Sequence, residues 1–347
     1  MKKSMLALAV LGTFAGAAAA QTSVTLYGIA DVDLVYSEPG DNVAGGNDDG
    51  KFLVRDGGAQ GKSGSRWGLR ISEDLGNGLR AYANLESGFN LDDGSPADPT
   101  RTFNRFAYVA LGHKDFGDVR VGRYDTISRT LAAFYDPSDK GQIKIDETGL
   151  YEVFGSRTDN TVAYLSPSWG GFQLLANVAA GEGAPNARYE GVAGTFRSGP
   201  IALAASYEQF HQDGSYNKAW SVGGNYNFGF AKLFVGYQQT DEPGNRAGAT
   251  LSVNEDGTSR EVDDKDFWTV GASVPLGNIT ILANYSQATH DYVDGGDADL
   301  QKAGIAIEYA LSKRTLVYSA YTYRGGDLAD RLAAQQELTA LGIRHTF

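Results

Sequence analysis

The chain has no cysteine, which rules out a disulfide framework and any thiolate metal site. Histidine is nearly as scarce, with four residues in 347. His113, His211, His290 and His345 all lack a neighbouring serine–carboxylate pattern, and no HExxH is present, so neither a nucleophile–base pair nor a zinc hydrolase site is legible. No catalytic residue, cofactor or metal ligand set is expected. The acidic stretches NDDG (47–50) and DDGSPAD (92–98) do not match the spaced calcium loop, and they read as glycine-containing surface loops. Positive charge is the minority sign, 30 basic against 42 acidic residues, which argues against nucleic acid as a partner. Long apolar runs are missing as well: beyond the first twenty residues nothing approaches the roughly twenty apolar residues of a transmembrane helix.

The N-terminus, MKKSMLALAVLGTFAGAAAA, combines basic Lys2 and Lys3, an apolar stretch from Met5 to Ala17 and the small residues Ala18, Ala19 and Ala20. That order reads as a secretory signal peptide over 1–20, with the mature chain starting near Gln21. Removing its two lysines takes the net charge from -12 to -14. From 21 to 347 the texture is uniform and reads as one domain. Forty-five glycines, 19 tyrosines and 16 phenylalanines against nine prolines suit many strands joined by tight turns. The mean hydropathy of -0.30 looks soluble, yet a membrane barrel alternates lipid-facing and water-facing residues, and the average hides its apolar face.

The alternation is visible from the first strand. Val24, Leu26, Ala30, Val32, Leu34 and Tyr36 share one parity, and Asp31 and Asp33 the other. Arg66, Gly68, Arg70 and Ser72 then alternate with Trp67, Leu69 and Ile71, and Arg80, Tyr82, Asn84 and Glu86 with Leu79, Ala81, Ala83 and Leu85. Short connections fall at 74–78, 113–117, 167–171, 198–200, 227–229, 275–277 and 311–313. Longer polar ones fall near 37–64, 90–102, 124–158, 181–187, 212–217, 241–265, 291–298 and 325–335. Seven short turns alternating with eight long loops predict an all-β fold, a 16-stranded antiparallel transmembrane β-barrel with both chain ends on the short-turn side. Aromatic residues near strand ends fit interfacial girdles, and only a closed sheet pairs every backbone group in lipid.

Within that pattern, Arg123 to Arg157 stands apart. The alternation stops, and an acidic, aromatic, turn-rich segment takes over, too aromatic for a flexible linker. It is expected to fold into the opening of the barrel as a constriction loop over about 124–158.

TLYGIADVDL (25–34), SRWGLRISEDLGNGLRAYANLESGFN (65–90), FNRFAYVALGHKDFGDVRVGRYDT (103–126), TVAYLSPSWGGFQ (161–173), YALSKRTLVYSAY (309–321) and the terminal GIRHTF occur in order along nearly the whole chain. Together they resemble the Gram-negative trimeric general-diffusion porins, particularly the betaproteobacterial branch. The resemblance implies a homotrimer of sixteen-stranded barrels in the cell outer membrane, among lipid and lipopolysaccharide. It also implies an inward third loop and a terminal aromatic, here Phe347, read by the outer-membrane assembly machinery. The loop lacks the PEFGG-like turn of the enterobacterial branch.

The resemblance further implies a lumen-wall arginine cluster facing acids on the loop. Arg66 has lumen parity on its strand. Arg105 must also face inward, because arginine in lipid costs about 2–4 kcal/mol near mid-depth, and Phe106 and Tyr108 would then face outward. Arg157, Arg70, Arg80 and Glu86 complete the expected wall. On the loop the candidates are Tyr124, Asp125, Tyr135, Asp136, Asp139, Asp146 and Glu147. Acidic outer loops (Asp48, Asp49, Asp92, Asp93, Asp98, Glu255, Asp256, Asp263 and Asp264) would draw in cations, whereas the arginine wall favours anions. The reading leans to anions, because the narrowest part decides. The expected function is a passive outer-membrane channel for ions and small hydrophilic solutes. An adhesin or phage receptor on the same barrel, and a substrate-specific channel, stand as rival readings.

Overall fold

Alternating side chains commit each segment to a strand with one wet and one greasy face, and the computed structural model closes these segments into a barrel. It describes residues 22–39, 50–58, 61–144, 154–181, 188–212, 215–241, 252–253, 259–260, 262–328 and 335–347. The expected signal peptide and the loop residues Asp146 and Glu147 lie outside them.

The wall starts with β1 (Ser23–Pro39), β2 (Lys51–Asp56), β3 (Arg66–Gly76), β4 (Leu79–Gly88), β5 (Phe106–His113) and β6 (Gly117–Asp125). After helix α1 (Ile127–Tyr135) it continues with β7 (Arg157–Leu165), β8 (Phe172–Ala179), β9 (Arg188–Ser198), β10 (Ile201–Gln212), β11 (Ser215–Asn227) and β12 (Lys232–Asp241). A small hairpin, β13 (Ser252–Val253) with β14 (Ser259–Arg260), stands apart. The wall ends with β15 (Val262–Leu276), β16 (Ile279–Tyr292), β17 (Asp297–Ala310), β18 (Thr315–Gly325) and β19 (Gln335–Thr346).

Seventeen strands form the main sheet, and β2 and β3 share one position, pairing with the two halves of β1, so the barrel has sixteen staves. All pairs are antiparallel. Closure runs between β1 and β19, from Ile29 opposite Thr346 upward. There the Gly28 N–H donates to the Phe347 carbonyl at 3.0 Å, and the Phe347 N–H to the Gly28 carbonyl at 3.1 Å. No strand edge is left at this seam, as lipid demands. All seven short turns stand where the alternation placed them.

The outer face carries exposed Val109, Leu111, Val121, Leu174, Val235, Ile305 and Ile343 at mid-height. Exposed aromatics flank this band: Phe116, Trp169, Phe172, Phe228 and Phe230 toward the short turns, and Trp220, Trp268, Tyr321 and Tyr323 toward the long loops. Two such girdles mark the two membrane interfaces.

Two local expectations are corrected. Residues 51–56, expected inside a long loop, are strand β2. Phe106 and Tyr108, expected to face lipid, face the lumen, where both rings stack near Tyr124 at 5.8 and 5.3 Å. The reason is that β5 starts at Phe106. Arg105 precedes the ladder, so alternation does not bind it, and both Arg105 and Phe106 reach inward.

The inward segment contains the nine-residue helix α1. Its apolar residues at 127, 131, 134 and 135 follow helical spacing and are buried against the inner wall. Each such burial stabilises by about 1.5–3 kcal/mol. The wall receives the segment through glycines of lumen parity. A Cβ on Gly191 would lie 2.7 Å from Ile127, on Gly223 2.8 Å from the Tyr135 ring, on Gly271 2.8 Å from Pro137 and on Gly304 2.7 Å from Ile143. These positions trace a trench from β9 to β17 that only residues without side chains can form.

Candidate functional site

With the inward segment lying along β8 to β17, the open cross-section is pushed against the opposite wall. There a cavity of about 570 Å³ lies between Tyr27, Arg66, Arg70, Glu86 and Arg105 on one side and Arg129, Ser138, Asp139, Lys140 and Lys144 on the other. Asp125 and Arg157 line it beneath the loop, and Arg344 and Lys62 complete its cationic rim. Nine lysine and arginine side chains thus border the space, against three carboxylates.

Two of those carboxylates, Glu86 and Asp125, are held between arginines, and the third, Asp139, lies exposed beside Lys140 on the loop. Glu86 is buried and accepts from Arg105 Nε at 2.6 Å and from the Tyr27 hydroxyl at 2.7 Å, with Arg66 Nε at 4.0 Å. One carboxylate therefore holds two arginines side by side that would otherwise repel. Asp125 plays the same part at the foot of the loop, 2.8 Å from Arg157 Nε and 3.6 Å from Arg129 Nε. Arg70 lies over the Tyr27 ring at 3.9 Å, a contact that orients the guanidinium without neutralising it. The cations are fixed in place while an excess of positive charge remains.

The loop is tied down at both ends of its inward run. At the start of α1, the Ile127 N–H donates to the Tyr189 hydroxyl at 2.8 Å, and that hydroxyl donates to Glu208 Oε1 at 2.5 Å. Strands β9 and β10 thus satisfy one of the helix's orphan donors, because Thr126 makes no side-chain cap. Further along, Asn284 donates to the Ile143 carbonyl, and Lys302 Nζ to the Lys144 carbonyl at 2.8 Å. Tyr189→Phe would remove the hydroxyl that links the buried Ile127 N–H to Glu208, at a cost of about 1–3 kcal/mol. Faster amide exchange across 126–135, with the barrel still folded, is the expected result.

A family model described as Gram-negative porin matches residues 7–327. The chain belongs to the Gram-negative porin family. It is 33% identical to an outer membrane porin protein of Bordetella pertussis and 30% identical to outer membrane porin protein 32 of Delftia acidovorans, each alignment covering 100% of both chains. Among solved structures, an anion-selective porin from Comamonas acidovorans superposes with a TM-score of 0.73 at 26% identity, covering 94% of this chain and 100% of that one. The outer membrane is therefore where this porin resides.

For this porin the structure brings Arg66, Arg70, Arg105, Arg157 and Glu86 to one cavity, together with Asp125 and Asp139 from the loop side. It does not bring Arg80, Tyr124, Tyr135 or Asp136 there. Arg80 sits near the short-turn end, paired with Asp118 at 2.9 Å. Tyr124 is buried behind the cavity, its hydroxyl accepting from Arg120. Tyr135 lies in the glycine trench with its hydroxyl 3.3 Å from Ser221 Oγ. Asp136 is turned into the loop's own backbone, accepting from the Ser138 N–H at 2.7 Å and the Lys140 N–H at 3.0 Å, so it closes the turn after α1. Of the expected loop acids, Asp125 and Asp139 line the cavity and Asp136 does not, and the loop adds Arg129, Lys140 and Lys144 to the same lining. Sequence reasoning passed over Arg129, Arg344 and Lys62. Arg344 was legible through its lumen parity on the last strand. Arg129 needed the helix and Lys62 needed the fold.

Proposed function

We propose that this porin is a passive, water-filled channel for ions and small hydrophilic solutes, and that its constriction is the cavity between Arg66, Arg105 and the loop, with a preference for anions. The observation that carries this reading is the excess of fixed cations, nine against three carboxylates, at the level where the loop narrows the lumen. Unit charges 4 Å apart interact with about 1 kcal/mol in water and about 4 kcal/mol at an effective dielectric of 20, so even a screened cluster enriches anions severalfold. The anion selectivity of the structurally similar Comamonas porin supports the sign. The described residues contain helix α1 and a barrel wall devoted to shaping a lumen, which agrees with a channel rather than an enzyme.

The acidic vestibule works outside this filter. Asp98 accepts from the Thr100 hydroxyl at 2.6 Å and from Arg101 at 3.1 Å. The Thr100 hydroxyl and N–H, with Arg101, hold its carboxyl down to about 2. Arg101 also reaches Asp159 at 3.2 Å, tying this outer loop to β7. Part of the vestibule charge is therefore spent internally, which leaves the constriction to set selectivity.

The remaining assignments belong to the same reading. Residues 1–20 act as a cleaved signal peptide, and 21–347 form the barrel. Three barrels associate side by side in outer-membrane lipid and lipopolysaccharide, a reading supported by the trimer form of the Vibrio cholerae OmpT structure of the same fold. Phe347, which closes the ladder against Gly28 with a half-exposed ring, serves as the signal for the assembly machinery.

Liposome swelling tests the channel directly. A small monoanion should permeate faster than a neutral solute of equal size, and the matching cation more slowly. Vesicles that contain the folded barrel and do not swell would show that the loop is a plug, and the receptor reading would take its place.

A further inference from the structure

The chain makes a second inward excursion. Asp56 on β2 stands opposite Val32, whereas Arg66 on β3 stands opposite Ile29. Nine residues of sequence, 57–65, thus stand where two would bridge the gap, and 57–58 and 61–65 of them are described. They are held by Asp31, buried on the lumen face of β1: its Oδ2 accepts the Ser63 N–H at 2.7 Å, and its Oδ1 the Tyr318 hydroxyl at 2.7 Å. Ser65 Oγ exchanges hydrogen bonds with the Asp31 backbone, accepting from its N–H at 3.0 Å and donating to its carbonyl at 3.1 Å.

So anchored, the turn presents Lys62. Its Nζ lies 2.7 Å from Glu308 Oε1 on β17 and donates to the Ser138 carbonyl at the tip of the constriction loop at 3.2 Å. The same Glu308 oxygen accepts from Gln142 Nε2 of that loop at 3.0 Å. The contact is close: a Cβ on Gly141 would lie 3.2 Å from both the Lys62 side chain and its carbonyl, and 2.8 Å from the Ser138 carbonyl.

We propose that Lys62 and Glu308 form a latch that locks the constriction loop's tip against β17 and sets how steadily the channel stays open. The inference rests on the channel reading and extends it to two positioning residues. The turn, seated on Asp31 of β1 and beside Tyr318 of β18, brings Lys62 within reach of Glu308, and Lys62 simultaneously holds Ser138, next to Asp139 and Lys140 of the cavity lining. Without the latch, the tip retains Asn284 and Lys302 but loses its tie on the cavity side.

The discriminating experiment compares Lys62→Met with Glu308→Gln in planar bilayers. The two substitutions remove opposite charges, so an effect through lumen charge alone would move open-channel behaviour and selectivity in opposite directions. A latch predicts the same change from both: flickering between open sublevels and closure at lower voltage, with selectivity shifts of opposite sign. Lys62→Arg, which keeps the charge and the donors, should restore the quiet channel. A second readout requires no current: amides 138–144 should exchange roughly tenfold faster in Lys62→Met and Glu308→Gln, as expected for losing a hydrogen bond to a charged group. Both variants conducting as steadily as the parent, with unchanged exchange, would overturn the latch. A parent protein that folds and passes no current, with faster exchange in both variants, would instead leave the latch standing and overturn the channel reading.

Discussion

Arg66→Glu should lower the anion-to-cation permeability ratio severalfold, about tenfold at low salt, while the barrel folds normally. The cavity would go from nine cations and three carboxylates to eight and four. The effect exceeds simple loss of a charge because of the neighbours. Glu86 lies 4.0 Å from Arg66 Nε and is bound by Arg105 at 2.6 Å. A second carboxylate at position 66 would compete for Arg105 and pull it out of the anion path. Folding should be spared, since the β3 ladder uses backbone groups and the Arg66 side chain faces the lumen. Reversal potentials under a salt gradient measure the ratio, and heat-modified gel mobility checks the barrel. An unchanged reversal potential would remove Arg66 from the constriction.

Gly304→Leu should push the loop off β17 into the open cross-section, narrowing the pore and lowering single-channel conductance. Gly304 is where Ile143 rests: a Cβ there would meet Ile143 Cβ at 2.7 Å and Asn284 Oδ1 at 3.0 Å. Overpacking of this kind costs about 1–3 kcal/mol, and the loop rather than the hydrogen-bonded wall is the part able to yield. As the tip is driven off the wall, the Asn284 and Lys302 bonds to the loop carbonyls break, and Lys140 and Lys144 crowd the opening beside Arg66 and Arg105. Conductance equal to the parent's in a folded variant would show that the loop is not seated by the glycine trench.

The wall was legible because alternation is a local property. Each residue's face follows from its neighbours, so the sixteen staves, the seven tight turns and the lumen side of Arg66, Arg70 and Glu86 could be read directly. Legibility failed where a strand began or stopped. Arg105 lies one residue before β5, and extending the parity rule to it sent Phe106 and Tyr108 to the wrong face. Residues 51–56 looked like loop because the strand they belong to is interrupted, its other half resuming at Arg66 after the inward turn.

Inside the lumen, charge type did not reveal charge partner. Asp136 looked like a solute-facing acid, but its oxygens are taken by the backbone of the next turn. Helix α1 supplied Arg129 to the cavity from a stretch that showed only as a break in alternation. The trench had a signal that went unused: Gly191, Gly223, Gly236, Gly271 and Gly304 all fall on lumen parity, and each meets a loop side chain. Recurrent glycine on the wet face of successive strands marks the track of an inserted segment.

The most direct test of the central claim is single-channel recording of the unheated parent protein in a planar bilayer under a salt gradient. Cooperative steps with a reversal potential on the anion side are the predicted result, since nine cations line the cavity proposed as the constriction. Steady current reversing on the cation side would mean that the acidic outer loops govern permeation and would contradict the account.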